Sequence, residues 1–189
     1  IRPDDLDFNE VFLDGARVPA ENLVGPLHGG WGVANGSLGH ERAMLWLTYS
    51  EALDRFLDEL AAAIDGTEAD DDRLLDWYGS VAIDAQAMKL LGYRTLAKTA
   101  RGMIATEQSI LKLFASEAIQ DAFARAVDEL GARGLDHETL SGPYHHLHLD
   151  GYMNSWFDGY LRSFAGTIAG GTSEIQRNIV AERVLGMPR

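Results

Sequence analysis

The sequence predicts an all-α protein, an up-down helical bundle that follows a short β segment. Apolar residues recur at helical spacing over long stretches, and the clearest stripe is Leu53, Phe56, Leu57, Leu60 and Ile64. The segments between such stretches are of short or medium length, and helices joined in this way pack as antiparallel neighbours. No internal repeat is visible. A bundle of antiparallel helices is therefore expected.

The predicted helices cover about residues 30–64, 73–100, 107–130 and 148–168, and a fifth lies between Gly171 and Gly186. The second helix is predicted from the apolar residues Leu75, Tyr78, Ile83, Leu90 and Leu91. The third is expected to turn inward the residues Ile110, Leu113, Phe114, Phe123, Val127 and Leu130. Gly131 is the expected C′ residue of the third helix, and the acidic run 66–72 is expected to be a loop.

Residues 1–26 follow a different pattern from the rest of the chain. Four apolar residues stand among polar ones there: Phe8, Val11, Leu13 and Val18. The turn signal Asp14-Gly15 lies between them and favours a short hairpin. Two strands do not make a stable sheet alone. We therefore expect residues 1–26 to be the tail of a β-domain and residues 27–189 to be a helical domain.

Composition excludes several classes of function. The net charge of −13 argues against nucleic-acid binding, which requires basic patches. The chain has no cysteine, so thiol catalysis, disulfides and cysteine-based zinc sites are excluded, and a reducing cytoplasm is the expected location. No apolar run approaches the roughly 20 residues that span a bilayer, and the first residues show no signal-peptide pattern.

The strongest local motif is AGGTSEIQR at residues 169–177. Its two glycines allow positive φ or a close approach of the backbone to another group. Ser173 and Gln176 have the S-x-x-Q spacing of a capping box, which predicts that a helix begins there. The start of a helix can bind a phosphate or an oxyanion. The alternative is a tight turn with a capped helix and no ligand.

Four segments together resemble the acyl-CoA dehydrogenase family. They are residues 8–25, 30–43, 112–117 and 168–189, the last of which reads IAGGTSEIQRNIVAERVLGMPR. The resemblance covers essentially the whole chain but only about half of the family's usual polypeptide. It implies FAD-dependent α,β-dehydrogenation of an acyl-CoA thioester. In that reaction a carboxylate removes the α-proton, the β-hydrogen leaves as hydride to the flavin, and a backbone N–H holds the thioester oxygen.

The resemblance also implies where the base lies. Many members place a glutamate immediately before the Gly-Thr of the signature, but this sequence has Gly170 there, which retains the N–H and supplies no carboxylate. Some members carry the base on the first long helix, and Glu41 matches that position. Arg42 next to it is expected to help hold the substrate. The alternative for both residues is a surface ion pair on the helix.

By position, Gly171, Thr172 and Glu174 match family residues that contact FAD, with Glu174 standing where a glutamine is common. Gly131 and Arg133 resemble a loop that meets the FAD of a neighbouring subunit, where Arg133 would pair with the pyrophosphate. An Arg-x-x-Phe-Gly motif that many relatives carry after the first helix is missing.

The resemblance implies an electron-transferring flavoprotein as acceptor, and a homodimer, a tetramer or a heteromer with a related subunit. Because it lacks the Arg-x-x-Phe-Gly motif, the sequence resembles a divergent branch of the family. Some members of that branch pair as unlike subunits and act on bulky acyl-CoA substrates, including steroid side chains. Two alternatives stay open, a non-catalytic partner subunit and a flavin oxidase or nitroalkane-type oxidase on the same fold.

The cluster of His145, His146, His148 and Asp150 suggests a metal site only weakly, and no metal is expected.

Overall fold

A computed structural model of the chain describes residues 10–65, 72–103, 105, 107–135 and 155–188. The helices in these ranges are α1 (Gly30–Asp65), α2 (Asp72–Ala100), α3 (Glu107–Glu129), α4 (Trp156–Ile168) and α5 (Ser173–Ile179). A π-helical turn, Val180–Val184, continues α5, and short 3-10 turns cover Ala20–Asn22 and Gly131–Leu135. The predicted all-α fold is confirmed. The acidic run 66–71 and the histidine cluster at 145–150 lie outside the described residues.

Helices α1 and α2 run in opposite directions, as neighbours in an up-down bundle do. Trp46, in the first half of α1, packs edge-on against Tyr93 near the end of α2, with ring centroids 5.3 Å apart. Phe56, farther along α1, meets Trp77 near the start of α2 at 5.9 Å. The order of contacts is thus reversed between the two helices, which makes α1 and α2 antiparallel.

Four aromatic side chains from four helices form the centre of the core. The ring of Phe56 meets Trp77 of α2, Phe123 of α3 and Trp156 of α4 edge-to-face, at centroid distances of 5.9, 5.0 and 5.2 Å. All four side chains are buried. Edge-to-face contacts place the positive ring edge on the negative ring face, which stabilises each pair by about 0.5–1.5 kcal/mol beyond its buried area. One residue of α1 therefore joins the bundle's four long helices.

The face of α2 that packs inward differs from the predicted one. Its buried residues are Leu74, Trp77, Val81, Ala85, Met88, Gly92 and Thr95. Leu75, Ile83 and Leu90, which carried the prediction, are 49, 70 and 58% exposed, and Tyr78 and Leu91 are half-buried. Apolar residues occupy two faces of this helix, and the face that includes Trp77 and Met88 fills the core. The other face remains an exposed apolar stripe.

The inward face of α3 includes several small residues, and most of the predicted inward residues are only half-buried. Ala115, Ala122 and Ala126 are buried, whereas the predicted Ile110, Leu113 and Val127 are half-buried, as are Phe114 and Leu130. Because α3 contacts α1, α2 and α4, alanines along its central line allow these neighbours to approach closely. Of the predicted inward residues, Phe123 alone is fully buried.

Helix α4 begins later than predicted. Ser155 has extended φ and ψ, and its side chain accepts a hydrogen bond of 3.0 Å from the N–H of Asp158. This is an N-cap, so the helix begins at Trp156 and the predicted start at His148 is wrong for this helix. Its C-terminal boundary at Ile168 agrees with the prediction.

The predicted hairpin is absent from residues 10–26, where the structure has a bend at Asp14-Gly15 and one 3-10 turn. Val11, Phe12 and Leu13 are about four-fifths exposed. These side chains find no sheet to pack against in the described residues, and a strand pair without such a surface is not stable. Across the described ranges, no helix is both long enough and apolar enough to cross a membrane.

Candidate functional site

The loop between α4 and α5 has an unusual backbone. Gly170 has φ of 68° and Gly171 has φ of 102°, a region that other residues rarely adopt. A Cβ added to Gly171 would lie 2.7 Å from Nε2 of Gln176, so the side chain of Gln176 needs the space that glycine leaves. Glycine at position 171 therefore serves two purposes: it allows the positive φ, and it leaves space for the side chain of Gln176.

Two buried side chains hold the carbonyl groups of this turn. Nε2 of Gln176 donates to the carbonyl oxygen of Gly170 at 2.9 Å, and Nζ of Lys112 donates to the carbonyl oxygen of Gly171 at 2.6 Å. Gln176 is 1% exposed and Lys112 is 2% exposed. Burial lowers the pKa of the Lys112 ammonium below its ordinary value, while the charge of Glu117 acts in the opposite sense. The turn is thus tied to α5 on one side and to α3 on the other.

The N-cap of α5 is Thr172, not the predicted Ser173. The Thr172 hydroxyl accepts a hydrogen bond of 3.3 Å from the N–H of Ile175. Ser173 is the first helical residue, and its Oγ is buried without a hydrogen-bond partner. Gln176, the predicted second half of a capping box, instead reaches the carbonyl of Gly170. The capping-box prediction is wrong because two adjacent residues can both cap, and the earlier one does.

A groove of about 360 Å³ opens beside this turn, between α3, the end of α4 and α5. Its lining residues are Glu117, Gln120, Thr167, Ile168, Thr172, Ser173, Glu174 and Arg177. The Arg177 guanidinium forms an ion pair of 2.5 Å with Glu117 across the groove. Hydrogen bonds from its own N–H and from Thr172 hold the pKa of Glu174 below its ordinary value. The groove therefore combines hydroxyl groups, one ion pair and an ionised carboxylate.

Comparison with known sequences identifies the architecture. The family model described as "Acyl-CoA dehydrogenase, C-terminal domain" matches residues 28–185, which is most of the chain. The chain belongs to the acyl-CoA dehydrogenase family. This result confirms the family that the signature at residues 168–189 and the other three segments predicted.

Curated relatives agree with the acyl-CoA dehydrogenase assignment. "Acyl-CoA dehydrogenase IpdE1" of Mycolicibacterium smegmatis is 35% identical over 191 aligned positions, which cover 98% of this chain and 44% of the relative. "Acyl-CoA dehydrogenase FadE34" of Mycobacterium tuberculosis is 31% identical over 96% of this chain and 23% of the relative. The chain thus spans less than half the length of the curated relatives it matches.

A solved structure has the same fold. The "Tcur3481-Tcur3483 steroid ACAD G363A variant" superimposes with a TM-score of 0.74 at 24% sequence identity. The match covers 93% of this chain and 44% of the other. At this identity the similarity shows the helical architecture alone.

The predicted base and its neighbour lie in the first half of α1. Glu41 and Arg42 fall within Gly30–Asp65, and the side chains of residues 38–44 lie outside the described part of the structure. Trp46 follows about 7.5 Å farther along the helix axis. It packs with Met88, Leu111 and Ala115, and Leu111 precedes Lys112. The backbone at Glu41 is therefore near the end of the bundle where Lys112 holds the glycine turn.

The two groups of predicted cofactor residues lie at different places in the chain's fold. Gly171, Thr172 and Glu174 form the turn and the start of α5, beside Lys112. Gly131 and Arg133 follow the other end of α3, about 26 Å or more along the helix axis from Lys112. Gly131 has the positive φ expected of a C′ glycine, 54°. Arg133 is exposed and donates to the carbonyl of Ala63 in α1 at 3.5 Å.

The residues of the groove suit part of a flavin nucleotide. Ser173 has a buried hydroxyl without a partner, and Thr172 has a hydroxyl at the groove surface. Such groups match the hydroxyl and ring-nitrogen positions of FAD. The carboxylates of Glu117 and Glu174 do not suit its pyrophosphate, because like charges would face each other. Within the groove the one cation, Arg177, is already paired with Glu117.

The roles of Lys112 and Gln176 at this site could not be predicted from the sequence alone. Lys112 belongs to a segment that resembles the family, and Gln176 belongs to the predicted capping box. Their carbonyl partners depend on the turn's three-dimensional path, since Lys112 lies 59 residues from Gly171 in sequence. A lysine at helical spacing from Ala115 and Ile119, on the face of α3 that packs inward, was the available signal.

Proposed function

We propose that this chain is the C-terminal part of an FAD-dependent acyl-CoA dehydrogenase that oxidises the α,β-bond of an acyl-CoA thioester. The observation that carries the proposal is the Gly170-Gly171 turn, with both carbonyl groups held by buried side chains. A rigid turn can keep backbone N–H groups aimed at one point, which is what stabilisation of a developing oxyanion requires. Residues 27–189 are proposed as the helical domain and residues 1–26 as the tail of the preceding β-domain.

Glu41 is the proposed base. Gly170 supplies a backbone N–H but no carboxylate, so the α-proton needs another acceptor. The backbone of Glu41 is near the end of the bundle where Lys112 meets the turn, and this position supports the assignment. Glu41 would take the proton from the α-carbon, Arg42 would help orient the thioester, and the N–H of Gly170 would bind the thioester oxygen.

FAD, when bound, supplies the acceptor for the β-hydrogen and its electron pair. In this chain Gly171, Thr172 and Glu174 are proposed to contact it, with hydroxyl groups serving its hydrogen-bonding positions. Gly131 and Arg133 are proposed to meet the FAD of a neighbouring subunit. Their distance from the turn within one chain supports a contact made in an oligomer.

The exposed apolar stripe of α2 supports an oligomer. Ile83, Leu90 and Tyr93 are 70, 58 and 58% exposed and follow one another at helical spacing. Contiguous apolar surface of this kind is characteristic of association between chains. The proposed assembly is a homodimer, a tetramer or a heteromer with a related subunit. A steroid-type or similarly bulky acyl group is the proposed substrate class, in keeping with the name of the solved structure that shares the fold. An electron-transferring flavoprotein is the proposed electron acceptor.

The substitution Glu41→Gln tests the function directly. In the flavin-loaded protein it should leave acyl-CoA binding intact and reduce acyl-CoA-dependent bleaching of the flavin absorbance by about 100-fold or more, because general-base catalysis contributes roughly that factor. Glu51→Gln is the matched control on the same helix, since Glu51 is exposed and pairs with Arg55. Full bleaching rates in Glu41→Gln would exclude Glu41 as the base.

A second candidate is a non-catalytic partner subunit, and Gly170 favours it. The position where many family members carry the base has no carboxylate here. In that case the chain would bind FAD or a second subunit but would not turn over acyl-CoA by itself. Addition of the partner subunit would restore turnover, and Glu41→Gln would then have no effect on the restored rate.

A further inference from the structure

Lys112 is a cation enclosed by the bundle. It lies on the inward face of α3, is 2% exposed, and follows Leu111 in the small cluster that contains Trp46, Met88 and Ala115. Among the described residues its ammonium forms no ion pair; the carboxylate of Glu117, which acts on its charge, pairs directly with Arg177. The hydrogen bond that it donates is the one to the carbonyl of Gly171.

Burial disfavours the charged form of Lys112 more than the charge of Glu117 favours it, and an apolar side chain of the same length would fill the space without that cost. Stability of the bundle therefore does not explain this lysine. Its contact with the turn does, since a charged donor makes a shorter and stronger hydrogen bond to a carbonyl than a neutral one.

A hydrogen bond that fixes the direction of a carbonyl group also fixes the direction of the N–H of the next residue. The C=O of one residue and the N–H of the next lie in one planar peptide unit and point in opposite directions. Lys112 thus sets the direction of the Thr172 N–H through the Gly171 carbonyl, and Gln176 sets that of the Gly171 N–H through the Gly170 carbonyl. Neither N–H donates to another group in the described part of the chain. Without these two hydrogen bonds, two consecutive glycines would be free to rotate.

The preceding peptide unit is also anchored. The N–H of Ala169 donates to the carbonyl of Ala165 at 2.8 Å, at the end of α4. Gly170 therefore lies between a fixed N–H group on one side and a fixed carbonyl on the other. The position at which a Cβ of Gly170 would stand is 3.8 Å from Cε of Lys112. The ammonium is consequently close to the whole turn and not only to one of its atoms.

We propose that Lys112 is a positioning residue for the dehydrogenation: by fixing the Gly171 carbonyl it holds the Gly170-Gly171 turn in place, so that the N–H of Gly170 faces the thioester oxygen of the acyl-CoA. This proposal rests on the proposed function. Lys112 itself touches neither the substrate nor the reacting atoms. Its hydrogen bond polarises the peptide unit of Gly171 and Thr172, which strengthens the N–H on the opposite side as a donor.

The first test is made on the protein without flavin or substrate. Backbone ¹⁵N order parameters of Gly170, Gly171 and Thr172 should fall in Lys112→Met from about 0.85 to about 0.6, the values typical of rigid and flexible backbone. Those of α3 and α4 should not change. Lys89→Met is the control, because Lys89 pairs with Asp54 and lies on α2 away from the turn.

The second test is made on the flavin-loaded enzyme. Lys112→Met should lower kcat by about 10- to 100-fold, the effect of displacing a reacting group by roughly an ångström, with little change in the Kd for acyl-CoA. Lys112→Gln retains a neutral donor on a shorter side chain, so both order and kcat should lie between those of the wild type and Lys112→Met. If Lys112 served packing alone, methionine would be the better replacement and the order of the two variants would reverse.

The outcomes separate the two proposals. A flavin-loaded wild-type protein that does not oxidise acyl-CoA would overturn the proposed function. An active wild-type enzyme whose Lys112→Met and Lys112→Gln variants keep the order parameters and the kcat of the wild type would overturn the role of Lys112 alone.

Discussion

Individual buried polar residues connect the helices of this bundle, and Glu107 is the clearest case. It begins α3 and is 6% exposed, and its Oε1 accepts hydrogen bonds from Nε of Arg94 at 2.8 Å and from Nζ of Lys98 in the last turns of α2. The Lys98 hydrogen bond lowers the pKa of Glu107 below its ordinary 4.5, against the opposing effect of burial. The ion pair therefore joins the end of α2 to the start of α3.

The lowered pKa predicts a pH dependence of stability. A carboxyl group whose pKa is lower in the folded than in the unfolded state stabilises the fold above its unfolded pKa, and this contribution is lost as the pH falls through the folded value. At pH 7, Glu107→Gln should reduce the free energy of unfolding by about 1–3 kcal/mol. The difference from the wild type should shrink as the pH falls below about 4.5.

Denaturant unfolding of both proteins between pH 7 and pH 3 measures this difference. The control Glu51→Gln removes an exposed pair within one helix, whose contribution is about 0.5 kcal/mol or less at any pH. A constant difference between wild type and Glu107→Gln across this range would show that the carboxyl pKa is not lowered by folding.

At the scale of helices, glycines determine how closely neighbours approach. A Cβ at Gly159 of α4 would lie 2.1 Å from the ring of Phe123 in α3, and one at Gly92 of α2 would lie 2.3 Å from the ring of Trp46 in α1. Both glycines stand in helix interiors, where glycine is less favourable than alanine by about 1 kcal/mol. Close helix contact at an aromatic ring compensates for that cost.

The pair Gly159→Ala and Gly166→Ala tests this explanation within one helix. Gly159→Ala should lower the free energy of unfolding by about 1–3 kcal/mol, because the added methyl group forces Phe123 or the helices to move. At Gly166 the nearest atom to an added Cβ is 3.8 Å away, so the same change should be neutral or stabilise by up to about 1 kcal/mol. Chemical denaturation of the two variants gives both values. Equal effects at the two sites would mean that contact with Phe123 does not limit the spacing of α3 and α4.

The positions of the helices could be predicted from the sequence except for the start of α4, but the faces that the helices bury could not always be predicted. Helices α1, α2 and α3 end close to the predicted residues because glycines, acidic loops and apolar spacing mark their limits. The exposed Ile83 and the buried Trp77 lie on two apolar faces of α2, and periodicity alone does not say which one meets the core. Contacts with other helices decide that choice.

The candidate site was predictable to a similar degree. The glycine turn and the family could be predicted, because the motif at residues 169–177 is local and contiguous. The hydrogen bond from Lys112 to Gly171 and the ion pair of Arg177 with Glu117 could not, since each joins residues about 60 positions apart. The cap of α5 was assigned one residue late because Thr172 and Ser173 are both good N-cap residues and only the backbone geometry distinguishes them.

At the scale of the whole molecule, the bundle should unfold as one cooperative unit, because Phe56 contacts an aromatic residue in each of α2, α3 and α4. Phe56→Ala should lower the free energy of unfolding by about 3–5 kcal/mol through lost burial and a cavity. The matched control is Leu96→Ala at a 53% exposed position near the end of α2, with an expected change within about 0.5 kcal/mol. Near-ultraviolet and far-ultraviolet circular dichroism should give coincident transitions for wild type and both variants. If Phe56→Ala shifts the aromatic signal to lower denaturant and leaves the helical signal in place, the aromatic centre does not hold the four helices together.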